Sequence, residues 1–161
     1  MVLPLVVVAA GSFACSTTDS SARESAGVLG RTTFPPVSDV YQRRCGSLEC
    51  HGSIYRNFRV YGLYGARLSP ADKPDAPVTT VAEYDANYQA FLGLEPAVLR
   101  DVVAGGGIDA MRLTVVRKGR GDEAHKGGMP IKPGDAADRC VLGWIRSAPD
   151  PVACAEAVKS P

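Results

Sequence analysis

The 161-residue chain has almost no excess charge of either sign. Its 18 Lys and Arg residues nearly balance its 17 Asp and Glu residues, for a formal net charge of +1. A protein that binds nucleic acid or an anionic membrane surface is typically strongly basic, because it must attract a polyanion over a distance. The composition therefore argues against both classes.

Motifs of several enzyme classes are also missing. The glycine run at 105–107 is not followed by the Lys-Ser/Thr of a phosphate-binding loop, so it predicts a turn. No C-x-x-C pair occurs, which argues against a disulfide oxidoreductase. Cys50 and His51 are adjacent in sequence, and adjacent side chains rarely face each other productively for nucleophilic catalysis. We therefore expect a protein that is not an enzyme.

The first residues read as an export leader. Leu3 to Ala10 is apolar but far shorter than the roughly 20 residues of a membrane-spanning helix. Small residues then precede Cys15, which is typical of a signal-peptide cleavage site and resembles a bacterial lipoprotein box. We predict a signal peptide at 1–14 and a lipid anchor at Cys15, in a periplasmic or outer-membrane lipoprotein of a bacterium. Plain secretion is the alternative.

The next segment favours a tether rather than a fold. Residues 16–33 are rich in Ser, Thr, Ala and Gly and contain few apolar side chains, so they cannot bury enough surface to offset the entropy of ordering. We predict a flexible tether at 15–36 and one folded domain at 37–161, a usual single-domain size.

Two cysteines and a histidine cluster in CGSLECHG, as Cys45, Cys50 and His51. Ser38 is a reasonable N-cap for a short helix before them, and Gly46-Ser47 then breaks that helix. Three chemistries fit these residues. Two thiols and a histidine can attach a haem, the two thiols can form a disulfide, or the two thiols can bind zinc together with His51 or His125.

The other two cysteines favour a local disulfide. Asp135 can cap a helix that carries Cys140, and the Pro-rich stretch 147–151 ends that helix. Cys154 lies on a short segment that can fold back onto it. A Cys140–Cys154 bridge closes a loop of about 15 residues, which contributes about 3 kcal/mol in the chain-entropy model.

Two methionines follow the leader, and their surroundings differ. Met111 lies in an apolar run that predicts a strand or a buried helix, so we expect it in the core. Met129 lies in HKGGMPIKPGD, which has no hydrophobic periodicity and is stiffened by proline. A methionine in such a loop suggests a role as a metal ligand, and His125 in the same loop is an alternative.

Taken together, CGSLECHG, EPAVLRDVV and GGMPIKPGDAADRCVLGWIRSAPDP resemble the small c-type cytochrome domains of bacterial exported proteins. The resemblance covers roughly residues 37–151, and the C-x4-C-H spacing departs from the usual C-x-x-C-H. It implies a mainly α, cytochrome-c-like helical domain with long irregular loops. Helices are also predicted at about 81–92 and 96–104.

The resemblance further implies one covalent haem c and one-electron transfer to redox partner proteins. By this match, Cys45 and Cys50 form the thioether bonds, His51 is the proximal iron ligand and Met129 the distal one, with His125 as the alternative distal ligand. Arg56 and Arg59 are candidate contacts of the haem propionates. The alternative function is a haem-free, disulfide-stapled surface lipoprotein that acts as a binding or structural module.

Overall fold

The computed structural model describes residues 29–72 and 78–159. The predicted signal peptide, Cys15 and most of the predicted tether lie outside the described residues. Within the described ranges the chain forms six α-helices and no strand, so the prediction of a mainly α fold with long irregular loops is confirmed. The helices are α1 Pro35–Cys45, α2 Val81–Leu94, α3 Pro96–Ala104, α4 Thr114–Arg120, α5 Ala136–Ile145 and α6 Pro151–Ala157, with 3-10 turns at Arg31–Thr33 and Ala110–Arg112.

The folded core begins earlier than the predicted domain boundary at residue 37. Leu29 is only 1% exposed, and its carbonyl accepts a hydrogen bond of 2.7 Å from the Tyr88 hydroxyl. The Trp144 indole N–H donates to the Gly30 carbonyl at 3.1 Å. The last part of the predicted tether is therefore packed, because its few apolar side chains fill the aromatic core.

Helix α1 begins at Pro35, so the prediction of Ser38 as its N-cap is wrong. Proline suits the first turn of a helix, where the backbone N–H has no intrahelical partner. Ser38 lies inside the helix instead, and its buried hydroxyl accepts hydrogen bonds from Asn87 at 3.0 Å and Gln42 at 3.3 Å.

An aromatic cluster joins the first residues of the fold to α2 and α5. The ring centroid of Phe34 lies 4.9 Å from that of Trp144, 5.4 Å from that of Tyr88 and 6.1 Å from that of Phe91. All four side chains are buried. Such offset and edge-to-face pairs stabilise a core beyond the area they bury.

Helices α5 and α6 close the fold against α1, which packs on both of them. The predicted disulfide Cys140–Cys154 is present and joins α5 to α6. The predicted cap is also present, since the Asp135 carboxylate accepts from the Asp138 N–H at 2.8 Å. The bridge holds α6 in place, as its position in the sequence indicated.

Two further expectations have opposite outcomes. Helix α3 spans Pro96–Ala104 as predicted, with proline in its first turn and Gly105 after its last residue. Met111, by contrast, is not a core residue. It lies in a 3-10 turn, is 37% exposed, and its sulfur accepts a hydrogen bond from Arg120. Among the described residues, no helix has the length and apolar character to cross a membrane.

Candidate cofactor-binding site

The loop after α1 is tied back onto the end of that helix. The His51 N–H donates to the Cys45 carbonyl at 2.9 Å, and the Cys50 and Gly52 N–H groups both donate to the Ser47 carbonyl at 2.9 Å. These bonds fold the four residues between the cysteines into a compact turn. His51 therefore lies beside the end of α1, although the spacing is wider than C-x-x-C-H.

Close backbone contacts determine which residue can follow His51. A Cβ atom at Gly52 would lie 2.0 Å from the Gly46 carbonyl oxygen and 2.6 Å from the Gly65 Cα atom. No side chain fits there, so three glycine backbones pack directly against one another. The glycine after the histidine is thus a steric requirement of this turn.

One hydrogen bond orients the His51 ring. Its Nδ1 atom lies 2.7 Å from the Phe58 carbonyl oxygen. A carbonyl only accepts, so Nδ1 carries the proton and Nε2 is left as the free lone pair. Burial lowers the pKa of His51, the hydrogen bond to Phe58 opposes this, and the nearby His125 and Arg56 lower it further. A neutral imidazole with one fixed N–H is the form that binds a metal ion.

His51 faces a cavity of about 390 Å³, hereafter the His51 cavity. The volume is in the range of about 300–1,000 Å³ that is common for ligand and cofactor pockets. Its walls come from α1, the loop after α1, the end of α2, α4 and the loop after α4. Its lining includes Tyr41, Cys45, His51, Arg56, Phe58, Val115, Lys118 and His125.

Two carboxylates hold α4 beside this cavity. Glu95 accepts hydrogen bonds from the backbone N–H of Thr114 at 2.6 Å and from its hydroxyl at 2.8 Å. Asp138 forms a two-pronged ion pair with Arg120 at 2.8 and 2.7 Å. The first contact positions the start of α4 and the second ties its end to α5, so Val115 and Lys118 are held at the cavity wall.

Both cysteines of the cluster are free thiols and are partly buried. Cys45 lines the His51 cavity, whereas Cys50 lines an adjoining pocket of about 250 Å³ together with His51 and His125. Burial raises the pKa of Cys45 to about 12, and the neighbouring Cys50 contributes in the same direction. Cys45 is therefore a protonated thiol at neutral pH.

Two buried polar atoms near the cavity lack a hydrogen-bond partner within the described part of the chain. They are the Tyr41 hydroxyl and the Nδ1 atom of His125. Buried polar groups are almost always paired in native proteins, so each unpaired atom needs an explanation.

The structure places His125 close to His51. The two ring centroids are 5.8 Å apart and the ring planes differ by 22°. Met129 follows in the same loop but is 53% exposed, and it lines a different groove with Arg43 and Arg44.

The two arginines predicted to contact propionates, Arg56 and Arg59, lie in different places. Arg56 lines the His51 cavity, and its guanidinium donates to the carbonyls of Cys50 and Glu49 at 3.3 Å each. Arg59 is exposed and does not line this cavity.

The sequence analysis did not identify Tyr41 and Lys118 as residues of the cavity wall. The spacing of four between Tyr41 and Cys45 on one helix could have indicated Tyr41, because such residues share a face.

The zinc interpretation has no support in the described residues, which contain no group of three or more His, Cys, Asp or Glu side chains arranged to hold a metal ion.

Comparisons with protein-family models, with curated proteins and with solved structures each found no match.

Proposed function

We propose that the chain is an exported c-type cytochrome that carries one covalently bound haem and transfers single electrons. The observation that carries the proposal is the arrangement of His51. Its Nδ1 is occupied by the Phe58 carbonyl, and the residue lines a cavity beside two free thiols. A carbonyl-anchored histidine next to two unpaired cysteines has the donor set for haem attachment and iron ligation.

The remaining walls fit such a group. Tyr41, Phe58 and Val115 provide apolar surface, and Arg56 and Lys118 provide positive charge for carboxylates. Bound haem would supply a reversible one-electron iron couple.

In this proposal the chain's own residues perform four tasks. Cys45 and Cys50 hold the group covalently, and His51 provides the proximal nitrogen in a fixed orientation. The aromatic and aliphatic walls exclude water, which raises the reduction potential. Arg56 pairs with a propionate. Electrons pass to redox partner proteins, and no substrate is converted.

The test is the intact mass and visible spectrum of the full chain, produced in a host that matures c-type cytochromes. We expect a gain of one haem that survives denaturation and acid–acetone extraction. The Cys45→Ser/Cys50→Ser double variant should lack the covalent haem. Wild-type protein with no chromophore, and with the mass of the polypeptide alone, would overturn the proposal.

A haem-free, disulfide-stapled module is the second candidate. It is favoured by the Cys140–Cys154 bridge, which joins α5 to α6, and by the aromatic core around Trp144, which stabilises the fold by apolar packing. The same mass measurement separates the two candidates. The anchoring part of the proposal depends on Cys15, and a Cys15→Ala variant should lose fatty-acid incorporation.

A further inference from the structure

His51 and His125 line the same two adjoining spaces. Both residues belong to the wall of the His51 cavity, and both belong to the wall of the smaller pocket beside Cys50. Their rings are nearly parallel, at 22°, with centroids 5.8 Å apart. They come from separate loops, one after α1 and one after α4, so only the tertiary fold brings them together.

The separation suits two nitrogen ligands of one metal ion. Metal–imidazole bonds are about 2.0–2.1 Å long, so nitrogens on opposite sides of an ion are about 4 Å apart. Each ring centroid is farther from the ion than the ligating nitrogen is, so the two centroids are farther apart than the two nitrogens. The observed centroid separation of 5.8 Å exceeds this lower limit, which leaves room for one ion between the two rings.

The loop that carries His125 is fixed by its own hydrogen bonds. The Ile131 N–H donates to the Gly119 carbonyl at 3.0 Å, which joins the loop to α4. The Gly128 N–H donates to the His125 carbonyl at 3.0 Å. A turn between His125 and Met129 results, with Gly128 at a φ of 68°.

This turn gives the two candidate ligands different surroundings. His125 lines the His51 cavity and has a buried Nδ1 atom without a partner in the described chain. Met129 is 53% exposed, and its side chain lies next to Gly121, where an added Cβ would be 3.3 Å from the Met129 Cβ. A weak thioether ligand needs to be held at the metal, and this position does not provide that.

We infer that His125, and not Met129, is the second axial ligand of the haem, so that His51 and His125 ligate the iron as a pair. This inference rests on the proposed function. A pair of imidazoles also predicts a lower reduction potential than a His/Met pair in the same cavity, because a methionine ligand raises the potential.

The wild-type holoprotein provides the first test. In the oxidised full chain, electron paramagnetic resonance should give the low-spin signal of two imidazoles. The far-red absorption band of methionine–iron ligation should be absent. In the reduced form, the Met129 methyl resonance should keep an ordinary chemical shift. A strongly upfield Met129 methyl resonance, or the far-red band, would contradict the inference.

Three variants of the holoprotein provide the second test. His125→Ala should convert nearly all of the iron to high spin, and added imidazole should restore the low-spin spectrum. The matched Met129→Ala variant should keep the wild-type spectrum. His125→Met should gain the far-red band, which is a positive signal even if the alanine variant folds poorly.

The outcomes separate this inference from the proposed function. Covalent haem whose spin state responds to Met129→Ala and not to His125→Ala overturns the ligand pair and leaves the cytochrome proposal intact. A chain without haem overturns both.

Discussion

The His51 Nδ1 atom lies 2.7 Å from the carbonyl oxygen of Phe58, seven residues further along the chain. This contact determines which ring nitrogen is protonated, and it leaves Nε2 unprotonated. A second backbone contact supports it, since the Val60 N–H donates to the His51 carbonyl at 2.8 Å. The loop after α1 is thereby closed on itself around the histidine.

The first prediction concerns this tautomer. In the haem-free chain at neutral pH, we expect His51 to be neutral with its proton on Nδ1, because only that form donates to the Phe58 carbonyl. Long-range proton–nitrogen correlation spectra distinguish the two tautomers. The chain has only two histidines, so a His51→Asn variant assigns the signal. An Nε2–H tautomer for His51 would contradict the prediction.

The second prediction uses two buried tyrosines. Tyr41→Phe should stabilise the haem-free chain by about 1 kcal/mol, because it removes a buried hydroxyl without a partner in the described residues. Tyr88→Phe is the matched control and should destabilise by about 1 kcal/mol, since the Tyr88 hydroxyl donates to the Leu29 carbonyl at 2.7 Å. Urea unfolding measures both. Equal losses in the two variants would show that the Tyr41 hydroxyl has a partner.

The third prediction concerns the glycine that follows His51. Gly52→Ala should destabilise the chain by about 1–3 kcal/mol, because the new methyl group would overlap the Gly46 carbonyl and the Gly65 Cα atom. Gly93→Ala is the control. A Cβ atom there meets nothing within 4 Å, and alanine in a helix should stabilise α2 by about 0.5–1 kcal/mol. If Gly52→Ala is as stable as the wild type, the three glycine backbones do not pack as described.

The fourth prediction concerns the ion pair of Arg67 and Glu83, whose side chains are 4% and 0% exposed. Glu83 also forms the capping box of α2 with Thr80. Burial alone would raise the pKa of Glu83. The hydrogen bonds from Arg67 and from the Thr80 and Leu68 N–H groups outweigh it, and the pKa falls below its ordinary 4.5.

The sign of the pH effect follows from that direction. The unfolded chain binds a proton on Glu83 at higher pH than the folded chain does, so stability rises with pH across the interval between the two pKa values. The contribution is fully present above pH 4.5 and is lost as pH falls through the folded value.

Glu83→Gln should therefore cost about 3 kcal/mol at neutral pH, because it removes the carboxylate of a buried ion pair. It should also flatten the acid limb of the stability curve. Glu156→Gln, from the exposed pair with Arg139, should change stability by less than about 1 kcal/mol. Denaturant unfolding at several pH values measures both variants. An unchanged acid limb in Glu83→Gln would assign the acid sensitivity to another group.

By itself the sequence determined the features that depend on neighbouring residues. Pro96 and Gly105 delimited α3, Asp135 marked the start of α5, and the short spacing of Cys140 and Cys154 indicated their disulfide. Caps, breakers and short loops act through local backbone geometry, so they can be read along the chain.

Only the tertiary structure decided the features that join distant segments. It packed Leu29 into the core and exposed Met129. It also brought the ring centroid of His125 to 5.8 Å from that of His51. Hydrophobic periodicity does not indicate whether His125 or Met129 lines the cavity, because this depends on how Glu95 and Asp138 hold α4. The candidate site residues were visible in the sequence, and packing decided which of them lie close together.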